Sequence, residues 1–236
     1  MLFLSDKGWF SRQQRDVFLD RLLDQAEAEM LAGVAQITPP GQYVNFLINK
    51  GTCFALCIEQ HPDAVQTGPL IEQMLNEILG EGWICHSFLA NGADSSGYPQ
   101  GSQFDQGPLL PWQAVAAPVR VNSMFILQDI DNSNGGTLAI PGSHQVLAQT
   151  GSGGAIGELP SAINLEAPAG TIILFDGRLL HGTGLNRTVG KRFVATMSNI
   201  KSWMRQQKNW VVSVHPELLR WASSKLLHRT GLRALI

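Results

Sequence analysis

Apolar positions recur at helical spacing near the start of the chain. Phe18, Leu19, Leu22, Leu23, Ala26 and Met30 fall on one face of a helix predicted over residues 11–30. Ser11 and Gln14, three residues on, form a capping-box pair in which each side chain satisfies the other's free backbone N–H. A second helix, predicted over 70–79, turns Ile71, Met74, Leu75 and Ile78 inward. From Trp83 the period shortens. Runs rich in β-branched and aromatic residues occupy 83–89, 119–127, 137–140, 163–167, 171–175 and 192–200. Turn-forming clusters separate them, among them Asn91-Gly92-Ala93-Asp94, Asp131-Asn132-Ser133-Asn134-Gly135-Gly136 and Ala169-Gly170. Short strands with such punctuation predict a sandwich or barrel rather than βαβ units. The expectation is one mainly β domain with flanking helices (α+β): a helical part over about 1–80, a β core over about 83–200 and a helical tail over about 201–236.

Composition narrows the partners. The chain has 236 residues, 17 Lys+Arg against 19 Asp+Glu, 15% charged and 44% hydrophobic residues. A balanced chain of this kind lacks the basic surface on which general nucleic-acid binding rests. It is also too apolar and too little charged for disorder. No apolar run reaches the ~18 residues of a membrane span, and the opening residues are too soon charged for a signal peptide. Three cysteines are an odd number for a disulfide framework, so a reducing cytoplasm is expected. Cys53 and Cys57 lie one helical turn apart, but no second pair is spaced to complete a zinc site, and two small buried residues is the reading. One asymmetry remains. Residues 201–236 carry Lys201, Arg205, Lys208, Arg220, Lys225, Arg229 and Arg233 against Glu217 alone. A solvated helical tail with Trp210, Leu218, Leu219, Trp221, Leu226 and Leu227 beneath is expected, with an acidic ligand or partner as the sharper alternative.

Several polar segments follow one another in a suggestive order. They are Gln100-Gly101-Ser102-Gln103-Phe104-Asp105-Gln106, Asn134-Gly135-Gly136-Thr137, Pro141-Gly142-Ser143-His144 and Phe175-Asp176-Gly177-Arg178-Leu179-Leu180-His181-Gly182, with Arg192 eleven residues after His181. Together these resemble the phytanoyl-CoA dioxygenase family of Fe(II)/2-oxoglutarate-dependent oxygenases, over most of the chain. The resemblance implies a double-stranded β-helix, the jelly roll or cupin-like fold. It implies a metal held by Asp105 and the distant His181. It further implies that Arg192 pairs with the far carboxylate of 2-oxoglutarate, a task its planar fork suits. Gln100 and Thr137 match polar positions near the same cosubstrate, and Asn122 lies on a strand expected to line the pocket.

One position departs from the family pattern: Gln103 stands where the first histidine ligand belongs. An amide oxygen donates more weakly than imidazole and has no ring N–H through which a neighbour can orient it. His86 falls on a strand and reads as a hydrogen-bonded core residue. His61, His144 and His215 read as turn residues. The expected activity is oxidation of a small, apolar, natural-product-type molecule, with metal binding impaired. A non-catalytic subunit partnering an active homologue and a non-oxidative isomerase in the same pocket are the competing readings, and a homodimer or a heterodimer with a related oxygenase is the expected assembly. Substrate choice is expected in loops 91–99, 106–118 and 151–160, where Leu109, Leu110, Pro111 and Trp112 carry apolar surface.

Overall fold

A computed structural model describes residues 2–3, 9–105, 117–145 and 161–234; the predicted loop 151–160 and residues 109–112 lie outside them. Helix α1 (Arg12–Leu31) begins at the predicted Ser11 cap, with both halves of the capping box in place. Its inward face is narrower than the sequence predicts. Phe18, Leu22 and Ala26 are buried, whereas Leu23 and Met30 are exposed, because only one stripe of the helix meets the sheet. Helices α2 (Thr52–Ile58) and α3 (Gly68–Leu79) complete the helical layer. Cys53 and Cys57 are free thiols, Cys57 being fully buried in α2.

The strands are β1 (Leu2–Phe3), β2 (Gln36–Ile37), β3 (Gln42–Val44), β4 (Ile84–Asp94), β5 (Arg120–Ile126), β6 (Thr137–Ala139), β7 (Ile163–Asn164), β8 (Ile172–Asp176), β9 (His181–Thr183) and β10 (Lys191–Ile200). A seven-stranded sheet runs β1-β8-β5-β10-β4-β3-β2, and a three-stranded sheet runs β7-β6-β9. Every pairing is antiparallel. This large and small sheet facing each other is the jelly roll expected above.

Alternation along the strands divides the interior in two. Phe88, Val121, Phe125, Ile172, Leu174, Phe193, Ala195 and Met197 face the helices and join one core with Phe18 and Phe54. There Phe18 meets Phe54 edge-on, ring centroids 4.7 Å apart, and stacks on Phe125 at 6.0 Å. Met124, Ile126, Ile173, Phe175 and Val194 face the other way, toward the small sheet.

One boundary differs from the sequence expectation. Asn91-Gly92-Ala93-Asp94 is not a turn but the last third of β4, paired with β10 through Lys191↔Asp94. Gly92 serves close approach there: a Cβ would stand 2.9 Å from the Phe193 ring and 3.0 Å from the Gln42 carbonyl oxygen. Residues 210–229 form three short helices, α4 (Trp210–Ser213), α5 (Pro216–Leu219) and α6 (Ser224–Arg229). Trp210, Leu218 and Leu226 pack inward, while Leu219 and Trp221 are exposed, because such short helices each present one anchoring residue to the core. Among the described residues no helix is long and apolar enough to cross a membrane.

Candidate active site

A cavity of about 290 Å³ opens between the two sheets. Inward-facing positions of the large sheet supply one wall: Ser87, Leu89 and Asn91 from β4, Met124 from β5, and Val194, Thr196 and Ser198 from β10. Opposite lie His181 and Thr183 of β9, Thr137 of β6, and the segment carrying Gln100, Gln103 and Asp105. That segment is pinned along β9. Gln103 and His181 exchange backbone hydrogen bonds of 2.8 and 2.9 Å, and the Asp105 N–H donates to the Gly177 carbonyl at 2.8 Å. Residues far apart in sequence are thereby brought to one spot.

His181 Nδ1 stands 2.9 Å from the Leu179 carbonyl oxygen, which only accepts, so Nδ1 carries the proton and Nε2 presents its lone pair. That lone pair faces Asp105 Oδ2 at 3.6 Å. The Phe175 ring meets the imidazole edge-on, centroids 4.9 Å apart, and limits its rotation. Asp105 Oδ2 accepts the Asn122 amide N–H at 2.7 Å. Asn122 is fully buried and does not line the cavity; its part is to hold the carboxylate.

Gln103 Oε1 is occupied by a 2.9 Å hydrogen bond from Gln100 Nε2. Gln100 Oε1 in turn accepts from Thr183 Oγ1 at 3.4 Å. Thr137 lines the cavity and directs its hydroxyl at the Met124 sulfur, 3.5 Å away. Among the described residues no three His, Cys, Asp or Glu side chains converge as a metal site. An imidazole nitrogen and a carboxylate oxygen this close do fit two positions of a divalent ion. The third position is left to a carbonyl oxygen already in use.

Arg192 is buried, and its guanidinium donates to the backbone carbonyls of Gly135 and Asn134, the latter at 3.3 Å from Nε. It forms no ion pair among the described residues, and burial lowers its pKa to about 10. Such a cation fits an incoming carboxylate. It is not among the residues that line the cavity, so the structure brings together Gln100, Gln103, Asp105, Thr137 and His181 and leaves Arg192 outside that lining. His86 is buried as a core residue, its Nδ1 accepting the Gln207 backbone N–H at 3.0 Å.

The sequence reading passed over Arg120. Its Nε donates to Ser198 Oγ at 2.5 Å, its Nη1 to the Asp105 carbonyl at 3.0 Å, and its Nη2 lies 3.6 Å from Asp105 Oδ2. The Ser198 hydroxyl passes the contact on to Asn122 Oδ1 at 2.5 Å. Nothing in the chain pattern marks Arg120.

Two facing antiparallel sheets around a cavity holding one carboxylate and one imidazole define a jelly-roll protein with a candidate metal site. Over residues 105–194 the chain matches the model of the phytanoyl-CoA dioxygenase (PhyH) family. A dioxygenase of Aspergillus fumigatus, af480, is 30% identical over 161 residues, 67% of this chain and 50% of that protein. An uncharacterized Mycobacterium tuberculosis protein is 29% identical over 98 residues, covering 39% of this chain and 32% of its own length. The chain therefore spans half or less of the curated relatives it matches. Solved structures share the fold at low identity. The carbocyclase SnoK from nogalamycin biosynthesis has a TM-score of 0.64 at 15% identity, with 90% of this chain and 83% of that one covered. The epimerase SnoN, solved with Fe3+, alpha ketoglutarate and nogalamycin RO, has 0.64 at 15%, covering 91% and 85%. HygX of Streptomyces hygroscopicus, solved with nickel, 2-oxoglutarate and hygromycin B, has 0.58 at 14%, covering 88% and 85%.

Proposed function

We propose that this chain is an Fe(II)/2-oxoglutarate-dependent oxygenase acting on a small organic molecule, with a metal site weakened at Gln103. The observation that carries the reading is the His181 tautomer: Nδ1 is fixed on the Leu179 carbonyl and Nε2 is turned toward Asp105. Asp105 and His181 would hold the metal, with the Gln103 carbonyl as a weak third donor once released from Gln100. Bound there, Fe(II) would supply oxidative decarboxylation of 2-oxoglutarate to succinate and CO2, with one oxygen atom of O2 going to succinate and the other to the substrate. Arg192 would pair with the far carboxylate once turned from the Asn134 and Gly135 carbonyls, Gln100 and Thr137 would offer it hydrogen bonds, and Asn122 keeps Asp105 in place. Leu89, Met124, Phe175 and Val194 give the substrate an apolar wall.

The test is anaerobic Fe(II) and 2-oxoglutarate titration followed by succinate release in air. Succinate above a His181→Ala control is expected, and none above it sinks the reading. Gln103→His restores an imidazole to the third position and is expected to tighten metal binding by about tenfold to a thousandfold, the equivalent of ~1.4–4 kcal/mol.

A second reading, a non-catalytic subunit of a heterodimer with an active homologue, is favoured by one contact. The Gln100–Gln103 hydrogen bond occupies the oxygen that a metal would need. Co-purification with a homologue, at full activity when this chain carries Asp105→Ala, would decide for it.

A further inference from the structure

Charge in the cavity does not balance under the proposed chemistry. Among the described residues lining it, Asp105 is the sole carboxylate and Arg120 the sole Lys or Arg. Outside that lining Arg192 is a further buried guanidinium. Asp105 Oδ2 is the atom that faces Arg120, accepts from Asn122 and faces the His181 lone pair. Once that oxygen turns to a divalent ion and 2-oxoglutarate brings its two charges to the ion and to Arg192, Arg120 has lost its counter-ion. His86, packed behind, adds no negative charge. An uncompensated guanidinium at 9% exposure is strongly unfavourable. The ligand still to be bound is the substrate.

The geometry around Arg120 is that of a prepared anion site. Its Nε is tethered to Ser198, which is itself tethered to Asn122, so the plane of the guanidinium is fixed. Nη1 spends one hydrogen on the Asp105 carbonyl, and Nη2 makes no hydrogen bond among the described residues. Ser87 and Gln207 add polar side chains to the same cavity. A planar two-oxygen acceptor matches the open edge of a guanidinium better than any single-point acceptor.

We propose that Arg120 is a substrate-recognition residue and that the substrate is a small organic acid, its carboxylate seated on the Arg120 edge and its apolar body against Met124 and Val194. The proposal rests on the oxygenase reading and deepens it. Its substrate is apolar with one anionic end.

Titration calorimetry of the full chain with hexanoate and with hexanamide, under nitrogen with Co(II) and 2-oxoglutarate at saturation, tests it. The two probes share an apolar body and differ in charge. Hexanoate is expected to bind about tenfold or more tightly than hexanamide, the scale of one charge-assisted pair. Arg120→Gln is expected to erase the preference, and Arg120→Lys, which keeps the charge but not the fork, to retain part of it. Equal affinity for the two probes, no binding of hexanoate, or a preference undiminished in both variants overturns the proposal. If Arg120→Gln fails to fold, the wild-type comparison and Arg120→Lys decide. Binding of 2-oxoglutarate is read separately: its failure in the wild type overturns the oxygenase reading, whereas its success beside equal probe affinities overturns only the role of Arg120.

Discussion

At the scale of single residues, His86 makes the acid behaviour of the protein predictable. Burial, and then the Arg120 charge, push its pKa down from the ordinary 6.5 to about 3. As pH falls below the unfolded value, the unfolded chain takes up a proton that the folded chain refuses until near pH 3. Stability therefore decreases on acidification across this window and is unaffected by His86 above it. At ~1.4 kcal/mol per unit, the loss between pH 7 and 4.5 is on the order of 2–3 kcal/mol. Urea midpoints at the two pH values are expected to show the wild type losing about that much more than His86→Gln. The glutamine keeps an acceptor for the Gln207 N–H and does not titrate. Equal losses would remove His86 from the account, since His144 and His228, also pushed down by burial, are present in both proteins. What the sequence carries at this scale follows from spacing. His86 on an apolar strand reads as a core residue, and Asp105 and His181 stand out by motif order. Arg120 does not, because its meaning lies in Ser198 and Asp105, residues that only the folded sheet brings to it. Likewise, Gln103 reads as a lost ligand, but nothing in the chain announces that Gln100 holds its oxygen.

At the scale of elements, the site depends on one close crossing. β9 passes under the 100–103 segment so tightly that a Cβ on Gly182 would lie 2.7 Å from the Gln100 carbonyl oxygen and 3.2 Å from that of Gly101. Those are backbone atoms held by the Gln103–His181 pair of hydrogen bonds, so neither side yields cheaply. Gly182→Ala is expected to lift the segment and separate Asp105 from His181. Co(II) affinity, followed by calorimetry, should fall by about tenfold, the scale on which supporting contacts tune metal sites. An affinity within twofold of wild type would mean that the crossing can relax. The strands framing this crossing are legible from the chain: the predicted run 119–127 is observed as Arg120–Ile126, and 192–200 as Lys191–Ile200. β4 is underestimated because Asn91 and Gly92 carry turn chemistry, which the close packing of Phe193 overrides. β2, β3 and α2 leave no clear period. At two, three and seven residues they are too short for one; β3 is defined by pairing with β4, β2 by pairing with β3, and α2 by packing on the helical layer.

At the scale of the whole molecule, near-neutral composition conceals how the basic tail is used. A solvated face is the bland expectation for it, yet Arg229 is buried at 4% exposure at the end of α6. Its guanidinium lies over the Trp83 ring, 3.6 Å from the centroid, donates to the Trp83 carbonyl at 2.7 Å and pairs with Glu72 of α3 at 2.7 Å. Lys225 pairs with the other Glu72 oxygen, also at 2.7 Å. Burial alone would raise the Glu72 pKa; the hydrogen bonds from Lys225 and Arg229 outweigh it and hold the carboxyl low. The tail is thus clamped to α3 and to the entry of β4, the strand that lines the cavity with Ser87 and Leu89. Arg229→Met leaves Glu72 half-paired and strips the face of Trp83. It is expected to cost about 2–4 kcal/mol by urea unfolding, below the full penalty for breaking a buried pair because Lys225 remains and Glu72 is partly exposed. A surface arginine would cost no more than about 0.5 kcal/mol, so a loss that small would return the tail to the bland reading. The double variant Arg229→Met, Glu72→Gln separates the ion pair from the stacking. If the pair carries the clamp, the two losses fall short of additive by about 1 kcal/mol or more; if Trp83 carries it, they add.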